Sequence, residues 1–202
     1  MSIAGKSRIK ELLQSPNIQD RLIVTPLLDE DQIGESSIDL RLGNDFVTAR
    51  NSNLEVIDPG QANVHENRYH VRRHIKFGDR FYLHPGEFVL ASTLEYFRLP
   101  INIAGNVTSR SSWGRMGLVI ATATAVHSGF TGTITLELVN HGHLPLALYP
   151  GMRYTQIVLF EAVGAGEYKG RFTGQVGATD GKIAEDKRND LEFWTKPEHH
   201  GR

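Results

Sequence analysis

The sequence predicts a mainly β protein, either a sandwich or a closed barrel, built from many short strands. Apolar runs recur at spacings of about 10 residues and are separated by glycine and proline, a pattern typical of all-β folds. Within a run the apolar residues alternate with polar ones, as at Ile38, Leu40 and Leu42, which places them on one face of a strand. The chain of 202 residues is long enough to bury a core without disulfides.

A short helix precedes the strands. Ile9, Leu12 and Leu13 have helical spacing, and the "SPN" at residues 15–17 would end the helix. The stretch "SSIDLRLGNDFVTA" follows and predicts a strand that turns at Gly43-Asn44.

The middle of the chain contains further strand signals, and the composition then changes. The stretch "RFYLHPGEFVLASTLEYFRLP" predicts two strands around a turn at residues 84–86, and residues 132–163 predict three more. After residue 163, "GAGEYKGRFTGQVGATDGK" contains six glycines in 19 residues and few apolar side chains. We therefore predict a β domain with its N-terminal helix over residues 1–163, and a flexible glycine-rich arm and tail over residues 164–202.

Composition excludes several kinds of site. The chain has no cysteine, so disulfides, thiol nucleophiles and thiolate metal sites are absent, and the histidines show no metal-ligand spacing. Basic and acidic residues number 22 and 23, which gives a net charge of −1 and no overall attraction for nucleic acid or anionic membranes. Because no apolar run reaches a membrane span and the start lacks a secretory pattern, we expect a cytoplasmic protein.

The stretch "TSRSSWGRMG" at residues 108–117 is the first candidate site. Arg110 and Arg115 offer planar donor forks suited to phosphate, and the neighbouring hydroxyls add neutral donors. Gly114 and Gly117 would allow a positive φ or a close backbone approach, as phosphate-binding turns often need. The alternative is a surface turn whose arginines are solvated and pair with surface acids.

The second candidate is Glu137 in "TITLELVN". In a strand Glu137 shares a face with Thr133 and Thr135, whereas the apolar residues between them share the opposite face. If the polar face is solvated, Glu137 has no special role. If that face lines a cavity near an arginine, Glu137 can act as a general base with a tuned pKa.

The glycine-rich arm supplies a third candidate. "RFTGQVG" places Arg171 and Gln175 where an arm could close over a ligand and exclude water, although a linker with one incidental charge fits the same pattern. A lone histidine, His127, precedes a glycine turn in "TAVHSGFTG", a position where histidine is usually structural or solvated.

In combination these stretches resemble the dCTP deaminase branch of the trimeric dUTPase superfamily. The resemblance is carried, in family order, by "SSIDLRLGNDF", "FYLHPGEFVLASTLEYFRLP", "SRSSWGRMGL", "SGFTGTITLELVN", "LPLALYPGMRYTQIVLFE" and "RFTGQ", and it covers roughly residues 36–175. It implies a distorted β-barrel or jelly-roll fold of the dUTPase-like type, assembled as a homotrimer with active sites between subunits.

The resemblance also implies residue roles. Glu137 is expected to be the general base, with Ser111 and Arg115 orienting the catalytic machinery. The positions that match triphosphate-binding residues are Arg110, Ser112, Gln156, Tyr168, Arg171 and Gln175. The positions expected near the base and sugar are Thr124, Ala125 and His127. Mg²⁺ is expected to be bound through the triphosphate rather than by protein ligands, zinc is not expected, and dTTP is a candidate inhibitor.

The sequence departs from the family pattern in two places. Family members carry a histidine early in the strand where Ile120 or Ala121 stands here, and an aspartate near the following turn where His127 stands, in a stretch one residue shorter. In the arm, Arg171 and Phe172 replace lysine and tyrosine, a change that preserves anion binding. Histidine can still bond a sugar hydroxyl but is a poorer base at neutral pH, so the change argues against diphosphate cleavage more than against deamination.

The resulting hypothesis is zinc-independent hydrolytic deamination of dCTP to dUTP and ammonia. A chain without cysteine cannot carry the Cys-rich zinc signature of other deaminases, so a carboxylate must transfer the protons. The alternatives are a dUTP diphosphatase or bifunctional deaminase-diphosphatase, a non-catalytic or altered-substrate nucleotide-binding homologue, and an unrelated β-sandwich interaction module.

Overall fold

The computed structural model describes residues 2–49, 70–121, 125–166, 170 and 172–179. Two helices and eleven strands lie within these ranges. The helices are α1 (Lys6–Gln14) and α2 (Ser111–Arg115), and a 3₁₀ turn spans Glu30–Gln32. The strands are β1 (Ile23–Thr25), β2 (Ile38–Ala49), β3 (His70–His74), β4 (Phe81–Leu83), β5 (Phe88–Arg98), β6 (Ile103–Ser109), β7 (Leu118–Ile120), β8 (Ala125–Val126), β9 (Thr131–Asn140), β10 (Leu146–Leu148) and β11 (Arg153–Glu161).

Most of the strands join one antiparallel sheet. Its path runs β7-β9-β5-β2-β11-β6-β8, with β1 added on β5 and β3 on β2. Strands β10 and β4 form a separate antiparallel pair. The described residues lie almost wholly in one compact unit, Met1–Thr48 with Arg72–Thr179, and a second unit, Ala49–Val71 with Asp180–Arg202, falls almost entirely outside them.

The sheet curls so that its two ends approach each other. Strands β7 and β8 are the ends of the path, yet only residues 121–124 separate them in the chain. Five residue steps span at most about 18 Å, so a flat sheet of this many strands is excluded. Strands β6 and β7 are in contact, as the curl requires. The curled sheet agrees with the predicted barrel-like architecture.

The core fills the inside of the curled sheet. Ile38, Leu40 and Leu42 on β2 are fully buried, as their alternation predicts, and so are Leu136 and Leu138 on β9. Strands β2 and β9 therefore direct their apolar residues to the core and mostly polar residues outward, an arrangement common in antiparallel strands.

Helix α1 confirms the N-terminal prediction. Ile9 and Leu12 are buried, and the helix ends before Ser15, whose N–H bonds the carbonyl of Leu12 at 3.5 Å. The two strands around residues 84–86 and the three strands after residue 130 are likewise present as β4, β5, β9, β10 and β11. None of the described residues belongs to a helix of the length and apolarity that a membrane span requires.

The turn predicted at Gly43-Asn44 is wrong. Strand β2 continues through both residues to Ala49, and its register against β5 shifts between Leu42 and Phe46, which marks a bulge. A Cβ on Gly43 would lie 2.7 Å from the Ser92 hydroxyl, so glycine is needed for close strand approach. The same residue types signal a turn or a bulge, and only strand pairing distinguishes them.

Candidate active site

The arginine- and serine-rich stretch forms the single-turn helix α2 between two strands of the sheet. It starts directly after β6 and leads within three residues into β7, so the predicted polar turn between buried strands is confirmed. The side chains of Ser111, Ser112 and Arg115 are exposed and available to a ligand.

Helix α2 is fixed at its start by strand β11. The Arg110 N–H donates to the Tyr154 carbonyl at 3.0 Å, and the Trp113 indole Nε1 donates to the Arg153 carbonyl at 3.2 Å. The rings of Trp113 and Tyr154 pack with their centroids 4.4 Å apart. These contacts hold the first turn rigidly against the sheet.

The end of α2 depends on one glycine. Gly117 has a φ of +93°, and a Cβ there would lie 2.5 Å from the backbone nitrogen of Gly142. The prediction of a special backbone position is therefore confirmed for Gly117. Gly114 meets neither condition, because its φ is not positive and an added Cβ would only touch the Ser109 hydroxyl at 3.6 Å.

Arg110 is part of a half-buried ion-pair cluster rather than a solvated turn. Its Nε lies 3.3 Å from Oδ2 of Asp39, and Nη1 of Arg153 lies 3.6 Å from the same oxygen. The Asp39 side chain is only 16% exposed. Burial raises the pKa of Asp39, and the two arginines oppose that rise. Two guanidinium groups thus converge on one carboxylate oxygen, which concentrates positive charge locally.

Gln156 lies in the same patch. It pairs in register with Asp39 on β2 and Thr108 on β6, and its Oε1 accepts a hydrogen bond from the Ser37 hydroxyl at 3.1 Å. A bulge in β11 between Arg153 and Thr155 leaves Arg153 and Gln156 both half-buried on one face. The structure therefore brings together Arg110 and Gln156, two of the predicted triphosphate-binding residues.

Glu137 lies on the outward face of β9, as its alternation predicts. It is half-buried, and burial raises the pKa of its carboxyl with no contribution from a charged neighbour. Its backbone carbonyl accepts from the Ala121 N–H at 2.8 Å, just after β7. Within the described ranges Glu137 has no fixed side-chain partner, and a partly desolvated carboxylate of this kind suits a general base better than a structural ion pair.

Part of the glycine-rich arm covers this face. Residues 172–179 lie along β9, where Gln175 bridges Gly132 in parallel. The Gln175 side-chain amide donates to the Thr133 carbonyl at 2.8 Å and accepts from the Thr179 hydroxyl at 2.6 Å. Both ends of the amide are therefore engaged by the protein. A role of Gln175 toward a triphosphate stays a prediction and requires these bonds to exchange.

The arm also buries a small apolar cluster beside the candidate base. Ala178 packs with Val47 and Leu90, and its carbonyl accepts from Arg72 Nη1 at 2.8 Å. Leu90 is the β5 residue paired in register with Glu137. The docked arm therefore lies close to Glu137 and excludes water from that part of the sheet.

Two of the residues predicted near base and sugar, Ala125 and His127, lie at strand β8, one end of the sheet path. Ala125 begins β8 and pairs with Asn106 of β6, and exposed His127 follows β8. Ala121, bonded to the Glu137 carbonyl, is only four residues before Ala125. Ala121 thus lies beside the backbone of the candidate base on β9.

Several predicted site residues fall outside the described part of the chain, namely Thr124, Tyr168 and Arg171. Within the described part, no hydrogen bond or ion pair joins Glu137 to Arg110 or Arg115. One chain thus presents two separate groups, an arginine patch at the start of α2 and a carboxylate on β9.

Sequence reasoning missed the residues that surround Arg110. Asp39 and Arg153 occupy outward positions of strands whose inward residues define the core, so they read as ordinary surface charges. The described residues contain no group of three or more histidine, aspartate or glutamate side chains that could hold a metal ion. The donor set around Arg110 is cationic, which suits an anionic ligand.

Comparison with known proteins gives concordant results. The sequence model of the family described as dCTP deaminase-like matches residues 3–162. A protein of Persephonella marina named "dCTP deaminase, dUMP-forming" is 38% identical over 187 residues, which cover 92% of this chain and 99% of that protein. A protein of Dictyoglomus turgidum with the same name is 40% identical over 189 residues, 90% of this chain and 94% of that protein.

A solved structure supports the fold. The 2′-deoxycytidine 5′-triphosphate deaminase from Agrobacterium tumefaciens aligns with a TM-score of 0.59 at 24% identity. The alignment covers 78% of this chain but only 46% of that chain. The likeness confirms the predicted β architecture.

Proposed function

The chain belongs to the dCTP deaminase-like family, and we propose that it acts as a hydrolase that removes the 4-amino group of dCTP. The observation that carries the proposal is the half-buried Glu137 carboxylate on β9. It lies in the matched region together with Ser111 and Arg115. A β-sandwich interaction module would not require this combination of residues.

Glu137 supplies the proton transfers. Its carboxylate takes a proton from water as the oxygen bonds C4 of cytosine, and delivers that proton to the ring nitrogen N3. It then takes the proton of the new C4 hydroxyl and delivers it to the amino group, as the C4 carbonyl forms. The C4–N bond then breaks and ammonia leaves, so one water is consumed per dCTP. General acid–base catalysis of this kind contributes about 10²- to 10⁴-fold, and positioning must supply the rest.

Ser111 and Arg115 orient the base and its water in this proposal. Both are exposed on α2, a helix held rigidly by β11. Because they do not contact Glu137 within the described part of one chain, a neighbouring subunit is the natural means of completing the site. We therefore retain the homotrimer with active sites between subunits as part of the proposal.

The triphosphate is assigned to the patch around Arg110. Its guanidinium is half-buried beside Gln156 and close to Arg153, and the exposed Ser112 hydroxyl lies on the adjacent helix turn. Arg171, Tyr168 and Gln175 of the arm remain proposed ligands. Mg²⁺, when bound, would be held by phosphate oxygens and would neutralise part of their charge.

The product is either dUMP or dUTP, and different observations favour each. The names of the relatives favour dUMP, which requires a second water to attack the α-phosphate and release diphosphate. His127, in place of an aspartate expected from the resemblance, favours deamination alone, with dUTP as product. We propose dUMP as the product because the relatives match over nearly their whole lengths.

The test is an assay of the purified protein with dCTP and Mg²⁺. Ammonia release is followed enzymatically, and nucleotides are resolved by chromatography. Ammonia with dUMP and diphosphate is the expected result, whereas ammonia with dUTP alone would assign deamination without cleavage. Bound dCTP without ammonia would contradict the enzymatic proposal and indicate a non-catalytic nucleotide-binding homologue.

A further inference from the structure

A buried carboxylate lies behind the arginine patch. Glu95 on β5 is fully buried, although the residue before it, Leu94, is half-exposed. It lies within the stretch between Ser92 and Tyr96 where the β5–β9 register shifts. An ionisable group in the core is costly unless hydrogen bonds satisfy it, so its retention calls for a physical reason.

Hydrogen bonds fully engage the Glu95 carboxylate. The Arg41 backbone N–H donates to both oxygens, at 3.1 and 2.9 Å, and the Gln32 side-chain amide donates to Oε1 at 2.9 Å. Glu95 therefore holds the backbone of β2 at Arg41 and the side chain of Gln32 in fixed positions relative to each other. Its partners come from elements more than 50 residues away in the chain.

Gln32 extends the network toward the surface. It is fully buried, and its Nε2 also donates to the Asp39 carbonyl at 3.1 Å. Its Oε1 accepts from the Leu28 N–H at 3.0 Å and from Arg41 Nε at 3.4 Å. Both polar atoms of the Gln32 amide are therefore hydrogen-bonded to groups in or next to the charged cluster around Asp39 and Arg41.

Arg41 and the aspartates complete the path to the site. Arg41 Nη1 donates to the Gly151 carbonyl at 2.8 Å, and Nη2 pairs with Asp29. Nη1 of Arg153 lies 3.7 Å from Asp29 Oδ1 and 3.6 Å from Asp39 Oδ2. Asp39 in turn holds Arg110. A continuous set of contacts therefore runs from the core carboxylate to the proposed triphosphate-binding arginine.

We propose that Glu95 is a positioning residue for triphosphate binding, acting through Gln32 and Arg41 on the charged cluster that orients Arg110. The inference rests on the proposed function of the Arg110 patch. Glu95 itself touches no substrate, so it sets affinity for the triphosphate rather than the rate of proton transfer at Glu137.

The test compares the Glu95→Ala and Glu95→Gln variants of the full chain. We expect Glu95→Ala to raise KM for dCTP about tenfold or more, while kcat at saturation stays within about twofold. Glu95→Gln keeps the shape and one acceptor oxygen, so it should restore most of the affinity. In calorimetric titrations with dCTP and with inorganic triphosphate, wild type and Glu95→Gln should both bind more tightly than Glu95→Ala.

Matched controls separate positioning from general destabilisation. Leu12→Ala removes a buried side chain in α1, outside this network, and should lower Tm while leaving KM unchanged. If Glu95→Ala does not fold, Gln32→Ala tests the same path and should raise KM in the same direction. The proposal would be overturned if folded Glu95→Ala bound dCTP as tightly as wild type. It would also be overturned if Leu12→Ala lost as much dCTP affinity as Glu95→Ala.

The same titrations distinguish this proposal from the assigned function. A wild-type chain that binds neither dCTP nor inorganic triphosphate would overturn the function, and the positioning role with it. A wild-type chain that binds both, together with a Glu95→Ala variant that binds equally well, would overturn the positioning role alone.

Discussion

Glu137 and Glu95 lie on neighbouring strands of one sheet, yet their surroundings give them different chemistry. Glu95 is fully buried and accepts three hydrogen bonds from Arg41 and Gln32. Glu137 is half-buried, and its raised pKa has desolvation as its only cause. A carboxylate held by several donors is suited to fixing geometry, whereas one without a fixed partner can exchange a proton with substrate.

The raised pKa of Glu137 predicts the acid limb of catalysis. A general base must be ionised, so kcat should fall as the pH drops through the Glu137 pKa, which burial raises above its ordinary value of 4.5. The measurement is kcat at saturating dCTP between pH 4.5 and 8, with circular dichroism to show that the protein stays folded. A limb at or below pH 4.5 would contradict the desolvated state of Glu137.

Arg110 should control substrate affinity. Removing its guanidinium in Arg110→Ala should raise KM for dCTP about tenfold or more with a smaller change in kcat, because its proposed ligand is the triphosphate rather than the reacting base. Steady-state kinetics are the measurement. The control is Arg8→Ala, which removes an arginine of α1 that pairs with Glu161 at the end of β11, and it should leave KM unchanged. An unaltered KM in Arg110→Ala would remove the triphosphate from this patch.

Strand β9 shows how far a local pattern determines an element. Its period of two predicts an apolar inner face and a polar outer face, and the burial along the strand follows that pattern. The pattern cannot show what covers the outer face. Gln175 and Thr179 cover it from about 40 residues further along the chain, through bonds to Thr133 and Thr135.

The bulge in β2 and the burial of Glu95 could not be predicted from the sequence either, because both depend on residues distant in the chain. Gly43-Asn44 signals a turn as readily as a bulge, and Glu95 in "TLEYF" reads as an ordinary polar position. Their structural roles depend on Ser92, Gln32 and Arg41, which are distant in sequence. By contrast, the Arg110 and Glu137 candidates were found because residue type and strand position coincide with the family motifs.

The two faces of β9 predict unequal stability effects. Leu136 is fully buried, so Leu136→Ala should lower the free energy of unfolding by about 2–5 kcal/mol, whereas Val139→Ala on the half-buried face should cost less than about 1.5 kcal/mol. Urea denaturation followed by circular dichroism measures both variants. Equal losses would contradict the assignment of inner and outer faces.

At the scale of the whole molecule, the curl of the sheet determines where chemistry is possible. Strands β7 and β8 are the two ends of the sheet path, and the Ala121 N–H, just after β7, donates to the Glu137 carbonyl at 2.8 Å. The arginine patch around Arg110 belongs to the strands β2, β6 and β11. The fold thus presents the proposed base and the proposed anion site as separate groups, which subunit association is proposed to unite.

Glu95 also makes the stability of the molecule depend on pH. Burial raises its pKa from 4.5 to about 7, so the folded state retains a proton that the unfolded state has lost. The contribution of Glu95 to the free energy of unfolding is fully present below pH 4.5. It falls by about 3 kcal/mol as the pH rises from 4.5 through 7. Urea denaturation between pH 5 and 8 should therefore show wild type losing stability relative to Glu95→Gln. A difference that is constant with pH would contradict the raised pKa.

A paired measurement on Glu137→Gln tests directly whether Glu137 is the general base. The variant keeps the shape of the side chain but cannot take a proton, so ammonia release from dCTP should fall by about 10²-fold or more. The dissociation constant for dCTP, measured by calorimetry on the same preparation, should stay within about threefold of wild type. Glu11→Gln on the exposed face of α1 is the control and should match wild type in both. Ammonia release within about tenfold of wild type would contradict the assignment of Glu137 as the general base, and loss of dCTP binding would instead make Glu137 a structural residue.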